Sequence, residues 1–207
     1  PEVAAYNTVK GFLNISFSEV YWNNVFAEIA AAQDYGQLAP TGRTIMVEYS
    51  SPNTNKPLHL GHIRNNLLGW SVAKLLEVCG HNVMKVNLVN DRGIHICKSM
   101  YAWKVLGNGE TPASSGKKGD HLVGDYYVAF NNLYKKEVDE LVAGGMSKEE
   151  AEKNAPSLKA AQEMLFKWEN GDAEVVELWK TMNGWVYEGF DKTYADLGIS
   201  FDRTYYE

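Results

Sequence analysis

The sequence predicts an α/β fold in which a parallel sheet comes first and a mostly helical region follows. Two observations lead to this prediction. An apolar run of strand length at 44–50, an amphipathic run of helix length at 60–79 and a second apolar run at 83–89 follow one another closely. Strands joined by a helical crossover of this length are parallel, and the crossover is expected to be right-handed. After about residue 100, helix caps and helix stops replace the strand signals.

The N-terminal part is predicted to be a small unit of its own. Residues 12–17 form a short apolar run typical of a strand. Ser18 can cap a helix that begins at Glu19, and Gly36 is expected to stop that helix.

The parallel sheet is predicted to start with a strand over Thr44–Ser50, with Ile45 and Val47 on one face. A helix over 60–79 follows, and then a second strand over 83–89. The expected apolar stripe of this helix consists of Ile63, Leu67, Leu68, Ala73, Leu75 and Leu76. This arrangement is half of a Rossmann-like sheet, in which ligands bind beyond the carboxyl ends of the strands.

The remainder is predicted to be helical. Residues 108–119 are rich in Gly and Ser and are expected to form an exposed loop. Four residues mark expected helix starts, namely Asp120, Ser147, Pro156 and Asp172. Gly198 is expected to stop the last helix before a strand over 199–205. The aromatic side chains Trp168, Trp179, Trp185 and Tyr187 are expected to pack in the core of this region.

The clearest chemical signal lies where the first strand meets the helix. A turn rich in Pro and Asn delivers His59, Gly61 and His62 to the helix start. Backbone N–H groups at a helix N-terminus favour negative charge, and a glycine lets a ligand approach the backbone closely. Imidazoles three residues apart share one face of the first turn, so both can donate to a phosphate. The pattern indicates a nucleotide-phosphate site, with two plain surface histidines as the alternative.

Composition sets further bounds. A chain of 207 residues with 45% apolar residues can bury one sizeable core. The formal net charge of -6 argues against a surface that coats nucleic acid, although one basic strip remains compatible with it. No apolar run approaches the roughly 20 residues that cross a bilayer, so no membrane contact is predicted. Cys79 and Cys97 lack metal-ligand spacing, so we expect no bound metal, but buried reduced thiols typical of a cytoplasmic protein.

Around the two histidines the sequence resembles the class I aminoacyl-tRNA synthetases, and most closely the arginyl-tRNA synthetases. The resemblance rests on Glu48-Tyr49-Ser50-Ser51-Pro52-Asn53 and on Lys56-Pro57-Leu58-His59-Leu60-Gly61-His62-Ile63-Arg64. Shorter similar segments at 11–15, 86–93 and 198–202 extend it over most of the chain. Arg92 departs from the family pattern, because many members carry an aromatic residue there.

The resemblance implies three regions. Residues 1–40 would be the remnant of an N-terminal extra domain with a linker. Residues 41–106 would be the first half of the Rossmann-like catalytic domain with the histidine motif. Residues 107–207 would be a mostly helical insertion that returns toward the catalytic core.

The resemblance also implies an activity, the ATP-dependent attachment of arginine to its tRNA through arginyl-adenylate. Arginine, ATP and tRNA are then the expected partners, and Mg²⁺ accompanies ATP. His59 and His62 would hydrogen-bond the phosphates, and Lys56 would act as a phosphate clamp. Gly61 and Asn65 would complete the ATP site. For Lys56, a solvated loop lysine is an equally good reading.

The arginine contacts implied by the resemblance are Glu48, Ser51 and Asn53. A carboxylate suits this role because a guanidinium binds planar acceptors with two hydrogen bonds. The alternatives are a structural partner within the strand for Glu48 and a plain turn residue for Asn53. Asp91 is a possible contact to ribose or to the substrate amine, with a structural turn role left open. His95 has no visible partner and is expected to be an ordinary helix residue.

One expected feature of the class is missing from the sequence. The Lys-Met-Ser-Lys-Ser type motif does not occur, and Met146-Ser147-Lys148 is only an echo of it inside a capping box. We therefore expect the chain to be the front part of a longer synthetase and to be inactive alone. Two alternatives remain, a small nucleotidyltransferase of the same superfamily and a non-catalytic module for ATP binding or interaction.

Overall fold

A computed structural model describes all 207 residues. The strands are β1 (Val3–Val9), β2 (Phe12–Phe17), β3 (Thr44–Glu48), β4 (Asn82–Val89) and β5 (Arg203–Tyr206). The helices are α1 (Glu19–Ala31), α2 (Leu60–Val78), α3 (Ile94–Leu106), α4 (Pro112–Ser115), α5 (Gly119–Ala143), α6 (Lys148–Asn154), α7 (Pro156–Glu169) and α8 (Ala173–Leu197). None of the helices combines the length and the hydropathy that spanning a bilayer requires.

The parallel sheet confirms the predicted fold class. Its order is β3-β4-β5, and both neighbouring pairs are parallel. Thr44 lies opposite Asn82, and Val86 lies opposite Arg203. Along β3 the half-buried residues alternate with exposed ones. Ile45 and Val47 therefore share the covered face, as predicted.

Strand β3 ends at Glu48, two residues before the predicted end. Ser50 and Ser51 have φ angles of 69° and 43°, which no extended strand can accommodate. Side-chain amides hold this turn in place, because the Ser50 N–H donates to Asn65 Oδ1 at 2.6 Å and the Ser51 N–H to Asn87 Oδ1 at 3.0 Å. The chain therefore leaves the sheet through a turn that is fixed by hydrogen bonds.

Helix α2 lies close to the sheet on one side and is open on the other. A Cβ placed on Gly69 would lie 2.3 Å from Tyr49 Cβ, so only glycine permits this approach. Ala73 is fully buried and Asn66 is the other buried residue of the helix. Leu75 is 65% exposed, and Leu67 and Leu68 are about half exposed, so the predicted apolar stripe is covered only in part.

The main hydrophobic core lies within the helical region. It joins fifteen buried residues that come from α3, α5, α7 and α8, and its largest members include Met100, Leu122, Met182 and Phe190. Trp168, Trp179 and Trp185 pack against this cluster, which confirms their predicted place. Tyr187 is only half-buried and directs its hydroxyl to Asp91.

The N-terminal unit contains a strand that the sequence analysis missed. β1 pairs with β2 as an antiparallel hairpin. Lys10 and Gly11 form its turn with φ angles of 50° and 84°, as a tight two-residue hairpin requires. Helix α1 begins at Glu19 as predicted but ends at Ala31, well before Gly36.

The segment 108–119 is not a plain exposed loop. It contains α4, and Glu110 is tied into the structure because its carbonyl accepts from Trp103 and its carboxylate from Tyr126. The predicted cap Asp120 is also wrong. Helix α5 begins one residue earlier, where Gly119 allows close contact with the Trp185 carbonyl. The Asp120 carboxylate is therefore buried inside the first turn and pairs with Lys118.

Other predicted helix ends are confirmed. The hydroxyls of Ser18 and Ser147 and the carboxylate of Asp172 accept N–H groups of their first helical turns. Pro156 occupies the first position of α7, and Gly198 ends α8 in the left-handed conformation with φ of 65°. These local rules need no tertiary contact, which is why the sequence predicts them well.

The two cysteines differ. Cys97 is a free buried thiol, as predicted, and burial raises its pKa to about 11. Cys79 is also free but is exposed at the end of α2, so the prediction of a buried thiol is wrong there. Its position on the open side of α2 explains the difference.

Candidate functional site

The two predicted histidines form a reciprocal cap at the start of α2. The His59 imidazole accepts the Gly61 N–H at Nδ1, at 3.1 Å. The His62 imidazole accepts the His59 N–H at Nδ1, at 3.2 Å. The two rings lie 4.0 Å apart between centroids. Each side chain thus satisfies a backbone donor that the helix itself leaves free.

This cap fixes the chemistry of the outer ring nitrogens. A neutral imidazole that accepts at Nδ1 must carry its proton on Nε2. Burial, and then the proximity of His59 and Lys56, lower the pKa of His62 below its usual value of 6.5. The neutral form of His62 therefore persists at neutral pH, and its Nε2–H is a donor available to a ligand.

Gly61 has a structural role in addition to the predicted one. A Cβ at this position would lie 2.9 Å from His59 Cε1 and 3.1 Å from His59 Nδ1. Contacts below 3.0 Å require a shift, so any larger residue would displace the capping ring. The glycine keeps the His59 side chain folded back onto the helix start.

The loop that carries Lys56 rests on the helical region. Leu58 packs against the main core cluster. On α5, a Cβ at Gly124 would lie 2.7 Å from Pro57 Cδ and 3.7 Å from Lys56 Cα. Lys56 itself is exposed, and it is close enough to His62 to contribute to the lowered pKa of that residue. The charge of Lys56 therefore acts on His62, and the phosphate role of the lysine stays a prediction.

Glu48 and Ser51 are brought together at the end of β3. The Ser51 hydroxyl donates to Glu48 Oε1 at 2.8 Å, and it accepts the Leu88 N–H at 3.2 Å. The carboxylate is exposed and is thus open to a ligand, while the serine fixes one of its oxygens. This pair is a ready acceptor for a planar cation.

Asn53 and Asn65 occupy different surroundings. Asn53 forms an isolated parallel bridge with Asn90, which continues the β3–β4 pairing beyond the strands, and it is exposed. Asn65 uses its carbonyl oxygen to hold the Ser50 N–H. The second role is structural, since this bond holds a backbone with positive φ next to the site.

Asp91 lies buried at the end of β4. Its carboxylate accepts the Tyr187 hydroxyl, and its backbone carbonyl accepts the Trp179 indole N–H at 2.7 Å. The other carboxylate oxygen is buried without a partner. Burial raises the pKa of this carboxyl, although the hydrogen bond from Tyr187 opposes the shift. These contacts favour the structural turn role over a substrate contact.

The unusual Arg92 joins the same loop to α7. Its guanidinium lies 3.2 Å from Glu169 Oε1 and 5.5 Å from the Trp168 ring centroid. The positive charge is thus turned toward the helical region, where it stacks on an aromatic face. Arg92 thus attaches the loop to α7 through Glu169 and Trp168, without the aromatic residue that many family members carry at this position.

Two hydrogen bonds near the site, made by Tyr127 and Tyr194, were not predicted from the sequence. His95 has a partner after all, since its Nδ1 lies 2.9 Å from the Tyr127 hydroxyl. Tyr194 shares a hydrogen bond of 2.7 Å with the Ser50 hydroxyl. These partners are 32 and 144 positions away in the chain, so no local pattern could have indicated them.

No group of three His, Cys, Asp or Glu side chains is arranged to hold a metal ion.

Comparison with known proteins supplies a family. The family described as tRNA synthetases class I (R), catalytic domain, matches residues 24–205. The arginine–tRNA ligase of Bacteroides thetaiotaomicron is 58% identical over 209 residues, which cover 100% of this chain and 35% of the relative. The arginine–tRNA ligase of Porphyromonas gingivalis is 55% identical over 207 residues, which cover 99% of this chain and 35% of that relative. The chain thus spans about a third of the length of the curated relatives it matches.

Solved structures share the fold. The arginyl-tRNA synthetase of Thermus thermophilus aligns with a TM-score of 0.61 at 23% identity, covering 100% of this chain and 30% of that one. The enzyme of Plasmodium falciparum aligns with a TM-score of 0.53 at 18% identity, covering 99% and 33%.

Proposed function

The chain belongs to the family of class I arginyl-tRNA synthetase catalytic domains, and on that premise we propose that it supplies the histidine half of an ATP and arginine site. The reaction is the formation of arginyl-adenylate, followed by transfer of the arginyl group to tRNA. An oxygen of the arginine carboxylate attacks the α-phosphorus of ATP. The bond to the bridging oxygen then breaks, and pyrophosphate leaves with that electron pair.

The observation that supports this proposal is the reciprocal cap of His59 and His62. Both Nδ1 atoms accept backbone N–H groups, so each neutral ring carries its proton on Nε2 at the start of α2. Donors that are fixed before the reaction stabilise charge on phosphate oxygens without reorganisation. Lys56 adds a positive charge that is close enough to help lower the pKa of His62.

Arginine recognition is proposed for Glu48, Ser51 and Asn53. The exposed Glu48 carboxylate is fixed through one oxygen by Ser51, which leaves the other oxygen free. A charged hydrogen bond of this kind to a guanidinium or an amine contributes about 1.5–3 kcal/mol. Asn53 follows Ser51 by two residues, pairs with Asn90 through its backbone and offers an exposed side-chain amide.

Three further parts of the proposal concern the surroundings of the reaction. Gly61 and Asn65 are proposed as ATP contacts in addition to their structural roles. Mg²⁺ would arrive on the ATP phosphates, where it neutralises charge on the leaving pyrophosphate. Binding of tRNA and a cytoplasmic location belong to the proposed enzyme as a whole.

Calorimetric titration of this chain with ATP, in the presence and absence of arginine, tests the proposal. We expect saturable ATP binding that tightens with arginine and weakens about tenfold in His62→Ala, in keeping with the loss of one charged hydrogen bond. His121→Ala is the matched control, since His121 is exposed on α5 and its side chain makes no hydrogen bond. Absence of saturable ATP binding would contradict the proposal, and so would equal affinity in His62→Ala.

A further inference from the structure

A second set of polar side chains lies next to the histidine motif, on the face that α5 turns toward it. On this face Gly124 contacts the loop, with a Cβ at that position lying 3.7 Å from Lys56 Cα. Tyr127 is one helical turn further along α5, and its hydroxyl lies 2.9 Å from His95 Nδ1. One face of α5 therefore contacts both the loop backbone at Lys56 and the imidazole of His95.

A second lysine extends this set along α3. Lys98 is one turn after His95, and its ammonium lies 5.6 Å from the ring centroid of Phe130. Phe130 is in turn one helical turn after Tyr127 on α5. The two helices thus present a short row in which His95 and Lys98 face Tyr127 and Phe130.

The row carries positive charge that no carboxylate neutralises. Neither Lys56 nor Lys98 takes part in any ion pair of the molecule. This is notable in a chain with a formal net charge of -6. Burial, and then the charges of Lys98 and Lys56, lower the pKa of His95. Two unpaired cations therefore flank a neutral imidazole.

The row begins near the edge of the sheet at which ligands of such folds bind. His95 is in the first turn of α3, which follows β4 directly beyond its carboxyl end. Gly93 precedes this helix with a φ of 106°, and no side chain caps the helix start. Free N–H groups, two ammonium groups and an imidazole at one edge favour a ligand with several negative charges.

We propose that His95 and Lys98 bind the β- and γ-phosphates of ATP, and the pyrophosphate that they become, beside Lys56. This rests on the proposed function. In this proposal Tyr127 is a positioning residue whose hydroxyl donates to Nδ1 of His95, so that the imidazole carries its proton on Nε2 and donates it to a phosphate oxygen. His59 and His62 then serve the α-phosphate, and the second row holds the leaving group.

Calorimetric titrations of this chain with ATP, AMP and inorganic pyrophosphate test the assignment. We expect His95→Ala and Lys98→Met each to weaken ATP and pyrophosphate binding about tenfold, with AMP binding unchanged because AMP lacks the outer phosphates. Tyr127→Phe should weaken ATP binding by a smaller factor. His95→Gln should bind ATP more tightly than His95→Ala, since an amide can donate in place of Nε2–H. His121→Gln and Tyr134→Phe remove the same groups elsewhere on α5 and are the matched controls.

The outcomes separate this proposal from the proposed function. If His62→Ala loses ATP affinity and His95→Ala does not, the row is not a phosphate site and the proposed function stands. If AMP and ATP weaken equally in His95→Ala, the residue has only a structural role and the inference is wrong. If the unaltered chain binds neither ATP nor pyrophosphate, both proposals fail. Loss of binding to an RNA acceptor-end oligonucleotide with unchanged ATP affinity would overturn the assignment to ATP.

Discussion

The helical region and the parallel sheet of this molecule are stabilised in different ways. Helices α3, α5, α7 and α8 supply all fifteen residues of the main core. The helix that covers the sheet, α2, buries only Asn66 and Ala73. The turn between β3 and α2 depends instead on individual hydrogen bonds, from Asn65, Asn87 and the two histidine caps.

The difference shows which part supports which. The turn after β3 and the start of α2 carry the groups proposed to bind phosphate, and the packed helical region holds that turn in position. Leu58 anchors the histidine loop on the main core, and Tyr194 of α8 holds the Ser50 hydroxyl at the end of β3. The solvent-facing side chains of the proposed site thus gain a fixed geometry from a core to which they do not belong.

The largest expected effect contrasts two leucines. Leu122 is 1% exposed in the helical core and Leu75 is 65% exposed on the open side of α2. Leu122→Ala should lower the free energy of unfolding by about 2–5 kcal/mol, because it leaves a cavity. Leu75→Ala should change it by less than about 0.5 kcal/mol. Urea unfolding followed by circular dichroism measures both, and equal losses would mean that the two regions do not differ.

A smaller effect is expected where α2 approaches the sheet. Gly69→Ala places a methyl group 2.3 Å from Tyr49 Cβ and should lower the free energy of unfolding by about 1–3 kcal/mol. Gly184→Ala in α8 is the matched control, since nothing lies within 4 Å of its Cβ position. That control should stabilise the protein by about 0.5–1 kcal/mol through helix propensity. A neutral Gly69→Ala would show that α2 can move away from the sheet freely.

The hydrogen bonds of the turn should contribute less individually. Asn65→Ala removes the acceptor of the Ser50 N–H and should lower the free energy of unfolding by about 1 kcal/mol. Asn132→Ala on α5, an exposed asparagine without side-chain hydrogen bonds, corrects for the change in helix propensity. If the turn is held by other contacts alone, the two variants will have the same stability by thermal and urea unfolding.

The smallest expected effect is a pH dependence that originates at the histidine cap. The folded-state pKa of His62 is lower than its usual value of 6.5, because of burial and the neighbouring His59 and Lys56. The unfolded chain then binds more protons below that pH, so the free energy of unfolding falls as the pH decreases through 6.5. Above pH 6.5 the imidazole is neutral in both the folded and the unfolded chain, so this loss of stability is absent there.

His62→Gln isolates this contribution. We compare urea unfolding at about pH 7.5 and about pH 5.5, on either side of the usual histidine pKa. The loss of stability on acidification should be smaller in His62→Gln than in the unaltered chain, whereas His121→Gln should leave it unchanged. If His62→Gln and His121→Gln lose the same stability on acidification, the pH dependence comes from other groups. His95 is one of them, because its pKa is also lowered in the folded state.

Local chemistry made much of the fold predictable. The histidine spacing, the strand runs and the caps at Ser18, Ser147 and Asp172 all act within one turn of the chain, and the structure bears them out. Two of the wrong predictions depend on distant contacts, whereas the missed strand β1 and the early end of α1 are local. Asp120 is not a cap because Gly119 lets α5 pack against α8 one residue earlier. Cys79 is exposed because nothing covers its side of α2.

The sequence by itself determined the α/β class, the parallel strand pair and the two histidines at a helix start, since these follow from periodicity and spacing along the chain. Only the tertiary structure decided what surrounds them. The partners of Ser50, His95 and Asp91 come from α8 and α5, far away in the chain. Contacts of this kind depend on how helices pack, and helix packing is set by the shapes of many side chains together.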